Sequence, residues 1–174
     1  MDENEKKFYD ILEKAGIDDY KVCEHDAIFS ADDADEKGIR MEGLNLKNLL
    51  IKDKKVGDYY MVIIDDHRHM DAKHFKEVAG WTKTRFANEE EMWQLLRLKP
   101  GSVTPFALFN DTEKKITVVL EKQIADAADD EQVNFHPCRN TATLGMKKSD
   151  FMKYLELMGN KVILEEYEEQ GADA

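Results

Sequence analysis

Cysteine is scarce in this chain of 174 residues, and so is proline. The two cysteines, Cys23 and Cys138, stand far apart and match no metal-ligand or redox spacing, which excludes a zinc module and a disulfide scaffold. A reducing cytoplasm is the expected compartment. No apolar run approaches the roughly 20 residues of a membrane span, so no membrane contact is expected. The first residues, Met1-Asp2-Glu3-Asn4-Glu5, are acidic and lack the apolar core of a signal peptide. Excess positive charge is missing too: the net charge is -12, which argues against DNA or long nucleic-acid tracks as general partners. There is no internal repeat, and no low-complexity segment before the tail.

What is present suits one mixed domain over residues 1–167, followed by an acidic, flexible tail at 168–174. The charge is uneven. Residues 37–55 hold six Lys/Arg against two acids, and residues 67–85 hold five against two. A local basic face on an acidic protein suits a short contact with one end of an RNA.

Periodicity predicts a helix over 3–15 from Phe8, Ile11, Leu12 and Ala15, and a strand at Tyr20–Glu24. Ser30 caps a short helix over Ala31–Glu36. Asn45–Lys52 and Tyr59–Ile64 read as a hairpin around Val56-Gly57-Asp58. Helices follow at Asp71–Ala79 and after Asn88, where Glu91 completes a capping box. Phe106–Phe109, Ile116–Glu121, Val133–His136, Thr141–Met146 and Val162–Leu164 read as strands, and Ser149 as the cap of a helix ending at Gly159. Short strands interspersed with helices, without regular alternation, predict an α+β fold around a mixed, largely antiparallel sheet.

Three stretches carry chemistry. Pro100 stops a helix, and Gly101-Ser102-Val103-Thr104-Pro105 then forms a stiff loop able to present backbone amides to a carbonyl or phosphate oxygen. Read locally, it is also an ordinary tight connection. Lys47 and Asn48 together suit a phosphate or ester oxygen, a point charge beside an amide, although a lysine here can simply face solvent. His136 and Cys138 are neighbours, but Pro137 between them disfavours a nucleophile–base pair. Asp65-Asp66-His67-Arg68-His69, with Asp71 and His74, contains metal-ligand types. Arg68 would repel a cation, so solvated turn residues are the expected reading, with no metal.

Taken in order, Leu46-Lys47-Asn48-Leu49-Leu50-Ile51-Lys52-Asp53, Gly101 through Phe106, Val133-Asn134-Phe135-His136-Pro137 and Asn140-Thr141-Ala142-Thr143 resemble the prolyl-tRNA editing family, also called the YbaK or aminoacyl-tRNA-synthetase-associated domain. The likeness runs from about residue 4 to 167 and is nearest to the freestanding PrdX or ProXp-ala branch. It implies a barrel-like mixed sheet wrapped by helices. It implies hydrolysis, without cofactor, of the ester of mischarged alanyl-tRNA(Pro), with the tRNA acceptor end and prolyl-tRNA synthetase as partners. A deacylase for cysteine, serine or an analogue, and a non-catalytic tRNA- or synthetase-binding module, are the alternatives.

By this resemblance Lys47, Gly101, Ser102 and His136 are the catalytic candidates. Lys47 would hold a terminal phosphate or polarise the substrate. The Gly101 and Ser102 amides, with the Ser102 hydroxyl, would face the ester carbonyl. Asn48, Val103, Thr104, Pro105, Ile28 and Leu50 would contact substrate, with Ile28, Phe29 and Leu50 setting the pocket volume. Lys52, Lys83 and Arg85 are the candidates for tRNA contact. The substrate's own ribose hydroxyl can serve in place of a general base.

Overall fold

A computed structural model describes residues 1–167; the expected tail at 168–174 lies outside the described residues. Helix α1 (Glu3–Lys14) starts where Asp2 accepts the Glu5 N–H, and it buries Phe8 and Leu12. Strand β1 (Tyr20–Glu24) leads to α2 (Ala31–Glu36), which Ser30 caps by accepting the Asp33 N–H. Strands β2 (Leu44–Asp53) and β3 (Tyr59–Asp65) form the expected antiparallel hairpin, in register from Leu46 opposite Asp65 to Lys52 opposite Tyr59. Then come α3 (Ala72–Ala79), β4 (Thr84–Phe86) and α4 (Glu89–Leu96). Asn88 and Glu91 close the capping box that opens α4. A 3-10 helix (Pro105–Asn110), β5 (Ile116–Glu121), α5 (Lys122–Ala125), β6 (Gln132–Phe135), β7 (Ala142–Lys147), α6 (Lys148–Met158) and β8 (Val162–Glu165) complete the described order.

The strands lie in the order β1-β7-β6-β2-β3-β5-β8, with β4 also paired to β2. The sheet is mixed. β1–β7, β2–β3, β2–β4 and β6–β7 are antiparallel, while β2–β6, β3–β5 and β5–β8 are parallel. Side chains alternate across each strand, so β3 serves two cores. Met61 and Ile63 join the main cluster with Phe8, Leu50, Phe106, Phe135 and Tyr154. Tyr60, Val62 and Ile64 face a smaller cluster with Ile51, Phe75 and Trp81. A strand buried on both faces explains the unbroken apolar run from 59 to 64.

Two expectations are corrected. Phe106–Phe109 is not a strand but part of the 3-10 helix, in which Phe106, Ala107 and Leu108 are wholly buried. Pro105 presets its first turn, and the Thr104 hydroxyl accepts the Phe106 N–H at 3.3 Å. A short run apolar on every side carries no period to tell helix from strand. Ser149 is not the cap of α6, which begins one residue earlier without a side-chain cap. The preceding loop supplies the acceptors instead: the Lys148 N–H donates to the Glu131 carbonyl at 2.7 Å and the Ser149 N–H to the Asp129 carbonyl at 3.0 Å.

Candidate active site

The sheet leaves a gap beside β2. On the edge facing away from β3, β2 is paired to β6 at Leu44–Asn45 and to β4 at Ile51–Asp53, with the Leu50 carbonyl taking the Ala87 N–H at 2.8 Å. Among the described residues no strand covers those between. Alternation in an antiparallel ladder turns the Asn48 N–H and C=O to the same side as the Leu50 carbonyl, toward this gap. A cavity of about 510 Å³ opens here.

Lys47, Asn48, Leu50, Ile28, Gly101, Val103 and His136 all line it. Residues from the hairpin, the glycine–proline loop and β6 thus meet around one hollow. The Lys47 side chain is half-buried, and among the described residues its ammonium has neither ion pair nor hydrogen bond. Burial pushes its pKa down, while Asp66 and Asp65 oppose that shift. An unpaired cation at the wall of a cavity suits an oxygen carrying charge. Asn48 straps β2 to the loop by donating from Nδ2 to the Val103 carbonyl at 3.2 Å, and its Oδ1 is buried without a partner.

Gly101 has φ +87°, a conformation that side chains resist. A Cβ there would lie 3.2 Å from the Phe29 ring and 3.3 Å from Asn140 Nδ2. Among the described residues the Gly101 N–H donates to no backbone or side-chain acceptor. His136 Nδ1 lies 2.9 Å from the Ala142 carbonyl, which must accept, so Nδ1 carries the proton and Nε2 is the bare nitrogen. Burial pushes the His136 pKa down, against the pull of that carbonyl, and the imidazole is neutral at pH 7.

Other expected site residues lie elsewhere. Ser102 is buried off the cavity, and its N–H closes a turn by donating to the Lys99 carbonyl at 3.1 Å. That amide is spent, whereas the N–H groups of Gly101 and Val103, which line the cavity, have no acceptor among the described residues. Thr104 and Pro105 start the 3-10 helix and do not line the cavity. Phe29 is not a volume-setting wall: it is 72% exposed, at the mouth. Lys52, Lys83 and Arg85 also lie off the cavity. Lys52 (3.1 Å) and Arg85 (2.6 Å) are both held by Glu91, whose carboxyl these partners keep well below the usual range. Lys83 is exposed. Cys138 is buried and does not line the cavity, and burial drives its thiol far above the ordinary range, which disfavours the thiolate.

Several residues on the cavity wall were not assigned to the site by the sequence. Phe86 and Met92 come from β4 and α4, and Arg40, Asp66 and His67 from the loops at the far rim. Arg40 pairs with Asp66, and with Asp35 at 2.7 Å; His67 Nε2 lies 2.9 Å from Asp35. These bonds fasten α2 across one side of the opening. Ligand atoms of Asp65, Asp66 and His67 gather within 4.8 Å, but Asp66 and His67 are engaged in this fastening. Only their charges, alternating around two turns, hinted at it. Among the described residues no helix is long and apolar enough to cross a membrane.

Such an arrangement defines a class: a mixed-sheet α+β protein whose split sheet holds a small cavity lined by a lysine and backbone amides that are unpartnered among the described residues, and by a neutral histidine. The chain belongs to the aminoacyl-tRNA editing domain family, whose model matches residues 25–154. It is 30% identical to "Prolyl-tRNA editing protein ProX" of Acetoanaerobium sticklandii, over 81% of this chain and 84% of that one. It is 32% identical to "Prolyl-tRNA synthetase associated domain-containing protein 1" of Xenopus laevis, over 85% of this chain and 89% of that one. A solved structure described as a candidate trans-editing enzyme for prolyl-tRNA synthetase superposes with TM-score 0.64 at 19% identity, over 94% of this chain and 97% of that one. That likeness is one of fold.

Proposed function

We propose that this protein is a trans-acting aminoacyl-tRNA deacylase that hydrolyses the ester of mischarged alanyl-tRNA(Pro), with the tRNA acceptor end and prolyl-tRNA synthetase as its partners. One observation carries the reading: the unpaired Lys47 ammonium and the unpartnered Gly101 amide line one small cavity with a neutral His136. The names of two relatives, one called a prolyl-tRNA editing protein, agree with it.

An aminoacyl ester is already activated, so the protein has mainly to orient it and stabilise charge. Water adds to the ester carbonyl carbon, the bond to the ribose oxygen breaks, and that oxygen leaves with a proton. Free alanine and tRNA result. The neighbouring ribose hydroxyl can relay the proton. The Gly101 N–H faces the oxyanion that forms at the carbonyl, and Lys47 holds the adjoining negative oxygen or polarises the carbonyl. The Asn48 backbone carbonyl and His136 Nε2 are acceptors for the substrate's ammonium group. Ile28 and Leu50, both buried at the wall, limit the size of the side chain admitted. Such a second site is needed because a proline pocket rejects a smaller side chain by only about 1–3 kcal/mol.

The test is deacylation of a panel of tRNAs charged with alanine, cysteine, serine or proline. Alanyl-tRNA(Pro) is expected to be cleaved fastest, and Lys47→Ala to lose about 100-fold or more in kcat/KM. Faster release of cysteine or serine moves the substrate within the same class. Binding without hydrolysis of any member makes the chain a tRNA-binding module instead.

A further inference from the structure

Two phenylalanines stand at the mouth of the cavity with their rings largely in water. Phe29 is 72% exposed and Phe86 is 60% exposed, yet both line the opening. Neither belongs to the two apolar clusters. Single exposed apolar side chains are ordinary, but two aromatic rings from different elements on one concave rim mark a contact surface.

Both rings sit on fixed backbone. The Phe29 N–H donates to Asp33 Oδ2 at 3.1 Å, and the ring rests over Gly101 so closely that a Cβ there would be 3.2 Å from it. Phe86 is on β4, opposite Ile51 of β2, and the next residue's N–H is bonded to the Leu50 carbonyl at 2.8 Å. Held apolar faces of this kind suit a flat partner.

We propose that Phe29 and Phe86 form a stacking platform for the terminal adenine of the charged tRNA. This rests on the deacylase reading and extends it from the ester to the base. With the aminoacyl group inside the cavity, the ribose and its base lie at the mouth. The base there is unpaired, and proteins recognise such bases by stacking them on aromatic rings. The rim offers little else to hold it. Lys52 and Arg85 are occupied by Glu91, and Arg40 by Asp35 and Asp66. The chain as a whole is acidic, so phosphate attraction contributes little.

The experiment compares two substrates, 3′-O-alanyl-adenosine and alanine methyl ester, and measures inhibition by free adenosine. The wild type is expected to prefer the nucleoside ester. Phe29→Leu and Phe86→Leu keep apolar bulk but remove the π face. Each is expected to cut that preference, and the potency of adenosine, by about tenfold or more, while Phe29→Trp retains both. Leu variants that keep the wild-type preference and adenosine inhibition overturn the proposal. So does an equal loss on both esters, because that places the rings against the amino acid rather than the base. Failure of the deacylase reading looks different: wild-type protein then cleaves neither ester nor any charged tRNA, and the stacking proposal falls with it.

Discussion

Gly101 and Ser102 are adjacent, yet they do different work. The first has a left-handed backbone, an aromatic ring packed on it and a free N–H; the second is buried, with its N–H closing a turn. Gly101→Ala forces an L side chain into a strained region, at a cost of about 1–2 kcal/mol. It also displaces Phe29 or Asn140, so we expect both lower stability in urea and slower deacylation. Ser102→Ala is expected to leave kcat/KM nearly unchanged, because neither the serine amide nor its side chain lines the cavity. A large loss in Ser102→Ala, measured on alanyl-tRNA(Pro), returns the hydroxyl to the chemistry. His136 gives a pH dependence of definite sign. Its folded-state pKa is lowered by burial, so its contribution to stability is complete above the unfolded value, about 6.5, and is lost as pH falls below that. His136→Gln is expected to flatten that acid limb of a pH–stability profile.

At the level of elements, the loop between β1 and β2 decides how open the site is. Helix α2 has six residues and buries little besides Ala34. A helix so short is held by its surroundings rather than by its own bonds. Its surroundings here are ionic. The Asp35 carboxyl, bonded by Arg40 and His67, is held down at about 2, and His67 is raised chiefly by its bond to Asp35 and then by Asp66. Because the folded-state pKa of His67 is raised, the fastening is fully present below the ordinary histidine value and is lost as pH rises through the raised one. Arg40 remains charged over that interval, while burial pushes the Asp66 pKa up against its bond to Arg40. Amide-exchange protection of residues 31–36 is therefore expected to fall across it, and to be level with pH in His67→Asn. Protection in the wild type that does not change with pH removes His67 from the fastening.

Elements bounded by a cap or a turn were legible from the chain alone. Asn88 with Glu91, Ser30 before α2 and the Val56-Gly57-Asp58 turn each carry their signal within a few residues. Lys47, Asn48, Gly101 and His136 were legible as motifs for the same reason. Their convergence on one cavity was expected only through the resemblance, because it depends on the parallel pairing of β2 with β6, and parallel partners have no short-range mark. β4 and α5 went unread, one of three residues and one of four. Phe86 and Met92 reach the cavity only because β4 is laid against β2, which no periodicity reports. The 3-10 helix was misread because its residues are apolar on every side.

Considered whole, the molecule places its most deeply buried ionic network directly behind the site. Arg68, just beyond β3, pairs bidentately with Glu165 of β8, at 2.5 and 2.8 Å, and with Glu121 of β5 at 3.2 Å. His74 of α3 reaches the same Glu165 at 2.8 Å, and Glu121 also accepts the Asp65 N–H at 3.1 Å. The parallel strands β3, β5 and β8 are thereby locked at one end, where no hairpin joins them. The same lock holds the end of β3, beyond which His67 reaches Asp35 of α2 and Asp66 reaches Arg40, just past that helix. Arg68→Ala would leave two carboxylates buried without their partner, and breaking such a pair typically costs about 3–5 kcal/mol. Urea denaturation is expected to show that loss with an unchanged m value. Because Asp65 is tied to the network through Glu121, exchange protection of α2 is expected to fall as well, even under conditions where the variant remains folded. Lost stability with α2 protection intact confines the network to the sheet and separates it from the mouth of the cavity.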